Sequence, residues 1–213
     1  MKIEWFQTLD STMLEARRNP QLGRVVVADE QTAGMGRHGH SWHSAPGGLY
    51  VSIVMAPAPL LTLALGLAVR HVIGERADLR WPNDVLLSER KCAGILAQTE
   101  GEVVVAGIGV NVSQRSFPEG LDTPATSLAL EGIETTREAL LGALTQAIDR
   151  FIVLPNEEIL RQFERASSYV QGRRVRAGDR EGVTCGLDAS GFLRLREDNG
   201  SETMILAGGV RPL

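Results

Sequence analysis

The 213-residue sequence has only two cysteines, Cys92 and Cys185, far apart in the chain. That is too few and too distant for the disulfide framework of a small secreted domain. It lacks a basic surplus: Lys+Arg 22 against Asp+Glu 26 leaves a net charge of −4 and a pI near 5.6. Composition therefore provides no cationic face of the kind that nucleic-acid binding requires. A long hydrophobic run is also missing. The longest, Leu60 to Val69, contains Thr62 and Gly66 and closes at Arg70, well short of the roughly 20 residues that span a bilayer. The opening MKIEWFQTLD has acidic residues where a signal peptide carries an apolar stretch. No repeat or low-complexity segment stands out. These absences predict a soluble, reduced, cytoplasmic protein without a nucleic-acid or membrane partner.

What remains is ordinary globular composition, 43% hydrophobic and 23% charged, in a chain long enough for one sizeable core plus a small module. Met1 to Leu9 reads as a strand, and Thr12 with Glu15 offers a capping box for a helix to about Arg18. RVVVADEQ is a β-branched run typical of a buried strand. A glycine-rich loop from Thr32 to Gly48 follows, and Leu49 to Met55 resumes a strand. Leu60 to about Arg76 has the length and apolar face of a buried helix. LRW, DVLL, CAGILAQTE and EVVVAGIGVNV read as a meander of short strands. Helices are expected from about Thr136 to Leu154 and from Asn156 to Tyr169. After Gly172 the texture becomes short strands joined by Asp/Gly/Ser/Asn turns, as in a small all-β barrel. The expectation is α+β: a mixed or antiparallel sheet with packed helices over residues 1–170, and a β module over 171–213.

Gly34-Met35-Gly36-Arg37-His38-Gly39 satisfies G-x-G-x-x-G after a predicted strand. A dinucleotide fold would need a helix to follow, and the chain continues instead as HSWHSAPGG into another strand. No Gly-Lys-Ser/Thr ending exists, which removes the P-loop as well. The physical content of the loop survives: glycines let backbone approach a ligand, and Arg37 is a planar charged fork suited to phosphate or carboxylate. The plain alternative is a solvated loop with a chance arginine. His38, His40 and His43 invite a metal reading, but no cysteine offers a fourth ligand and a glycine loop holds ligands loosely.

A second constellation is Arg80-Trp81-Pro82-Asn83-Asp84, readable either as a strand end opening into an Asn-Asp turn or as polar groups gathered at a site. Lys91-Cys92-Ala93-Gly94 begins the next apolar strand. Alternation puts Lys91 on one face and Cys92 on the other. Such a lysine either snorkels at a sheet edge or meets an anion on its face. Gly107-Ile108-Gly109-Val110-Asn111 ends the following strand, with glycines where another group could come close.

Taken in order, Asp10-Ser11-Thr12, ADEQTAGMGRHGHSW, RWPNDVLL, RKCAGILAQTE and GIGVNV resemble the successive motifs of biotin–protein ligases. The tail resembles the small SH3-like C-terminal domain of that family. The resemblance implies biotin-side roles for Ser11, Thr12, Gln31, Gly36, Arg37, Lys91, Gly94, Gly107 and Gly109. It implies nucleotide-side roles for Met35, Gly36, Arg37, Trp42, Asn83, Asp84 and Asn111, with Asp84 helping to place Mg²⁺ and with Lys91 and Arg37 catalytic. It further implies ATP and biotin as substrates, a biotinyl-5′-AMP intermediate, and a biotin carboxyl carrier protein as acceptor. Whether the chain forms a homodimer stays open in the sequence; exposed sheet edges would permit one.

Three positions depart from the pattern. Many relatives have arginine at Met35 and His40 and lysine at Arg80, so the triphosphate grip is expected to be weaker or distributed differently. Bifunctional relatives carry an N-terminal helix-turn-helix, whereas this sequence opens on the catalytic part, so no operon-repressor role is expected. Two alternatives accompany the ligase reading. A lipoate–protein ligase or octanoyltransferase would share the fold, an acyltransferase of that kind using Cys92 as nucleophile. A non-catalytic biotin or nucleotide sensor would not need Lys91.

Overall fold

In the computed structural model, which describes residues 2–213, two sheets account for all strands among the described residues. Met1 lies outside the described residues, so the first strand starts at Lys2. The elements of the larger unit are β1 (Lys2–Leu9), α1 (Thr12–Arg18), β2 (Arg24–Gln31), β3 (Gly48–Met55), α2 (Leu61–Ile73), β4 (Asp78–Arg80), β5 (Asp84–Leu87), β6 (Arg90–Glu100), β7 (Val103–Asn111), α3 (Arg137–Phe151) and α4 (Asn156–Arg165). Its seven strands run in the order β1-β2-β3-β7-β6-β5-β4. Only β1 and β2 are parallel, with α1 as the crossover; every other pair is antiparallel. The sheet is thus mixed, as expected for an α+β protein.

The two faces of the sheet divide the labour. Alternate residues Val25, Val27, Leu49, Val51, Ile53, Ile95, Ala106, Ile108 and Val110 form one continuous core with α2, α3 and α4. Helix α2 is buried along nearly its whole length, which its sequence LTLALGLAVRHVI allows because almost no position is charged. It stops at Ile73, before the expected Arg76, because Gly74 takes φ 112° and donates its N–H to the Arg70 carbonyl. Helix α3 is amphipathic and capped by Thr136, whose hydroxyl accepts from the Ala139 N–H at 3.1 Å. Helix α4 ends at Arg165 rather than Tyr169. Leu79 N–H takes the Ala166 carbonyl and Asp78 takes the Ser168 N–H and hydroxyl, which ties the outgoing chain to β4.

The opposite face carries α1 over a smaller cluster of Met13, Ala16, Val26, Val54 and Val105. The cap of α1 is Ser11, not Thr12: the Ser11 hydroxyl accepts from Met13 N–H, and Thr12 is already inside the helix. The expected capping box therefore does not form. Glu15 instead pairs with Arg24 and Arg18, because the buried Arg24 guanidinium offers it a stronger partner than a backbone N–H would.

The second sheet comprises β8 (Gln171–Ala177), β9 (Arg180–Leu187), β10 (Leu193–Arg196), β11 (Glu202–Ile205) and β12 (Arg211–Pro212), ordered β11-β10-β9-β8-β12 and antiparallel throughout. Its inward residues Val175, Ala177, Leu187, Leu193 and Leu195 join the same apolar core as the helices. The Trp81 indole N–H donates to the Gly191 carbonyl at 2.9 Å, so the β4–β5 turn is fastened to this module. No helix among the described residues is long and apolar enough to cross a membrane.

Candidate active site

On the α1 face, where side chains should stand, β6 and β7 present Gly94, Gly107 and Gly109. A cavity of about 730 Å³ opens above them, within the usual range for small-molecule sites. It is bounded by the sheet, by the loop between β2 and β3, by residues 117–125 and by the rim of the C-terminal module. The glycines are sterically required: a Cβ on Gly109 would lie 2.5 Å from the Trp42 indole nitrogen, and one on Gly94 would lie 2.9 Å from the same ring. The Trp42 indole N–H is buried there without an acceptor, an unpaired donor facing a site built for a polar partner.

Lys91 reaches this face through a defect in the ladder. Val85 faces Ala93 and Leu86 faces Lys91, so Cys92 is an extra residue, a β-bulge. Strict alternation would put positions 91 and 94 on opposite faces; the bulge puts both Lys91 and Gly94 on the cavity. Cys92 points away into the core, fully buried, with its thiol donating to the Val85 carbonyl at 3.3 Å. Burial pushes that thiol up to about 12, so it has neither the exposure nor the thiolate character of a neutral-pH nucleophile.

Asp84 sits between two cations. Its carboxylate lies 2.5 Å from the Lys91 ammonium and 2.6 Å from the Arg80 guanidinium, which also donates to Thr123 Oγ1 at 2.8 Å. Burial works to raise the Asp84 carboxyl, and the charges of Lys91 and Arg80 with their hydrogen bonds overcome it, so it stays below its ordinary value. Lys91 is also held through its backbone: its N–H and C=O pair with Pro124 and Thr126, and the Asn111 amide donates to the Thr126 carbonyl at 2.9 Å. Asn111 thus supports the lysine from behind.

A polar chain joins the start of α1 to the flap. Ser52 donates to Thr12 Oγ1 at 2.8 Å, and Thr12 N–H and hydroxyl donate to Gln31 Oε1 at 2.8 and 3.1 Å. Gln31 donates to Ser44, which donates to the Trp42 carbonyl. Such connected bonds reinforce one another in a low-dielectric setting. Ser11 does not line the cavity; its hydroxyl caps α1. The other residues expected at the site, Thr12, Gln31, Met35, Gly36, Arg37, Trp42, Asn83, Asp84, Lys91, Gly94, Gly107, Gly109 and Asn111, all border it.

The loop itself is a flap with internal structure. Met35 bridges Ser41, Gly36 N–H donates to the His40 carbonyl at 2.7 Å, and Trp42 N–H donates to the Gly34 carbonyl at 2.8 Å. It leads into β3, antiparallel to β2, and no strand–helix–strand unit forms. At its tip Arg37 donates to Asn83 Oδ1 at 3.0 Å and to the Gly208 carbonyl at 2.6 Å. Burial pulls this guanidinium below its ordinary value, opposed by the charge of Asp84. Among the described residues no three His, Cys, Asp or Glu side chains are grouped to hold a metal. Two carboxylates border the cavity, Asp84 and Asp122, and each is taken up by an ion pair, Asp84 with Lys91 and Arg80 and Asp122 with Arg211.

The residues missed in the sequence are those of the 117–125 segment, Phe117 and Gly120 to Thr123 among them, and those the C-terminal module brings: Arg176, Gly178 and Gly208 to Arg211 line the same cavity. Nothing local marked them. A stronger signal for Lys91 was available, because Lys2 and Lys91 are the only lysines in the chain while Lys+Arg is 22. A sequence that writes its cations as arginine has kept lysine at this one cavity position.

A glycine floor, a strand-borne ammonium and a flap-borne guanidinium thus meet in one cavity. Residues 5–114 match the model of the biotin/lipoate A/B protein ligase family, and the chain belongs to that family. It is 34% identical over 209 residues to the biotin–[acetyl-CoA-carboxylase] ligase of Mycobacterium tuberculosis, covering 88% of this chain and 77% of that one. It is 41% identical over 132 residues to the bifunctional ligase/repressor BirA of Bacillus subtilis, covering 54% of this chain; it thus spans only 41% of that relative's length. The biotin protein ligase of Aquifex aeolicus, solved with biotin and ATP, superposes with a TM-score of 0.86 at 30% identity, covering 100% of this chain and 99% of that one.

Proposed function

We propose that this protein is an ATP-dependent biotin–protein ligase. The biotin carboxylate attacks the α-phosphorus of ATP, forming biotinyl-5′-AMP and releasing pyrophosphate. A lysine ε-amine of a biotin carboxyl carrier protein then attacks the mixed anhydride, forming the amide and releasing AMP. The observation that carries this reading is the meeting of Lys91, from the sheet, and Arg37, from the flap, in one cavity. Forcing a carboxylate onto a polyphosphate is first a problem of charge, and a donor aimed as rigidly as Lys91 is worth about 3–4 kcal/mol.

Biotin is assigned to the glycine floor beside Thr12 and Gln31, with its carboxylate toward Lys91 and with Gly36 and Arg37 closing over it. Ser11 contributes through its cap on α1. The nucleotide is assigned to Met35, Gly36, Arg37, Trp42, Asn83 and Asp84, with Asn111 acting through the backbone of Lys91. Mg²⁺ carried by the phosphates would meet Asp84 and supply further neutralisation. Closure of the flap excludes water from a hydrolysable intermediate. The reading places the enzyme in the cytoplasm, with the exposed edge strand β1 available to a second copy.

The test is mass spectrometry of a carrier domain after incubation with the protein, biotin, ATP and Mg²⁺. One added biotin on a single carrier lysine is expected. Labelling with lipoate in place of biotin would transfer the assignment to the other branch of the family. Absence of biotin-dependent ATP–pyrophosphate exchange would leave only a sensor.

A further inference from the structure

We propose that Arg176 and Arg211, both from the C-terminal module, form a subsite for the β- and γ-phosphates of the nucleotide and for the departing pyrophosphate. The proposal rests on the ligase reading and extends it to a part of the chain that carries no recognisable motif. In register, Arg211 on β12 stands directly opposite Arg176 on β8. Like charges at directly opposed positions of an antiparallel pair destabilise a sheet, yet both arginines border the cavity that holds Lys91 and Arg37. An anion between them turns that repulsion into a binding contribution.

Their present partners hold them loosely. Arg211 lies 2.7 Å from Asp122 with both side chains more than half exposed, 56% and 59%. Arg176 lies 2.6 Å from Glu181, at 58% and 42%. Exposed pairs of this kind contribute little net stability, so either guanidinium can turn to a phosphate at small cost. Arginine also suits the task, because its planar fork takes two phosphate oxygens at once.

The flap explains why this chain needs them. Met35 and His40 leave Arg37 as the only arginine between Gln31 and Arg70, and Arg37 is bonded to Asn83 and to the Gly208 carbonyl. That bond places the flap cation beside the segment that ends in Arg211. The polyphosphate charge that the flap does not neutralise is then met from the module, at Arg211 three residues beyond Gly208 and at Arg176 opposite it.

The test uses the full chain and begins with biotin-dependent ATP–pyrophosphate exchange in the unaltered protein; its absence would sink the ligase reading itself, apart from this proposal. Given exchange, Arg176→Gln and Arg211→Gln should each raise the KM for ATP about tenfold and together roughly a hundredfold, the scale of lost charge-assisted bonds. The KM for biotin and the affinity for AMP should not move, so the preference for ATP over AMP collapses. Lysine at both positions should restore part of the affinity, since it keeps the charge without the two-pronged fork. Asp122→Asn breaks the same ion pair but leaves the cation, and should not raise the KM. The proposal is overturned if the double glutamine variant keeps its KM for ATP within about twofold. Parallel loss of AMP affinity, or an Asp122→Asn effect equal to that of Arg211→Gln, would overturn it equally, because either marks a structural role. All these substitutions fall at half-exposed or exposed side chains, where folding tolerates them.

Discussion

Lys91 and Arg37 face one cavity, but the molecule holds them differently. Lys91 stands on a strand paired on both sides, with a carboxylate 2.5 Å from its ammonium and its backbone clamped by residues 124–126. Arg37 stands at the tip of a glycine-rich flap and is fixed by two hydrogen bonds, one to Asn83 and one to a carbonyl 171 positions away. The sheet side supplies aim, which the anion-on-anion step needs. The flap and module side supplies cover and extra charge, which must yield when substrates enter and products leave. Rigid placement and adjustable closure are thereby assigned to different parts of the chain.

Removing the sheet-borne cation should do the most damage. Lys91→Ala is expected to slow biotin-dependent ATP–pyrophosphate exchange by roughly 10²–10³-fold, and a loss below tenfold would mean that Lys91 is not the group meeting the reacting anions. Next comes Asp84→Asn, which leaves the buried Arg80 and the partly buried Lys91 without their shared anion and should cost about 3 kcal/mol. In a thermal melt at neutral pH that is a drop in Tm of roughly 10 °C. The pH dependence has a definite sign. The folded Asp84 carboxyl is held low, so its stabilisation is present above the ordinary carboxylate range and disappears as pH falls through the folded value. The gap between parent and variant should therefore narrow only below about pH 4; a constant gap into strong acid would contradict the paired geometry.

On the flap side the effect should change in kind. Arg37→Gly is expected to cut adenylate formation by less than about thirtyfold, since it removes two hydrogen bonds of about 1 kcal/mol each. Retention of the intermediate should suffer more, and labelling of bystander lysines would reveal the leak. Unchanged retention would leave the flap without its covering role. The smallest effect belongs to Cys92→Ser. With its thiol buried and pushed up to about 12, carrier labelling should persist within about twofold of the parent. Complete loss would revive a thiol acyl intermediate.

Much of this arrangement was legible from local pattern. The β-branched run of β2, the apolar length of α2 and the opposite facing of Lys91 and Cys92 follow from short-range periodicity, which is a property of backbone geometry. The rejection of a dinucleotide fold came from a missing helix after G-x-G-x-x-G, again a local feature. Capping was less secure, because Ser11 and Thr12 are chemically alike and only the backbone angles of Ser11 separate cap from first turn. Helix ends shifted for a similar reason: the bonds from Asp78 to Ser168 and from Leu79 to Ala166 that stop the chain after α4 come from a distant strand.

What no local pattern could supply is the way segments meet. The bulge at Cys92 exists because β5 and β6 pair with one residue to spare, and only that pairing brings Lys91 onto the face of Gly94. The supporting role of Asn111 depends on residues 124–126 lying against β6. The arrival of Arg176 and Arg211 at the cavity depends on docking of the C-terminal module through Trp81 and Gly191, 110 positions apart. Periodicity reports which way a residue faces within its own element. Contacts between elements far apart in the chain are selected by burial and hydrogen bonding summed over the whole molecule, and that sum alone brought the second pair of cations to the same cavity as the first.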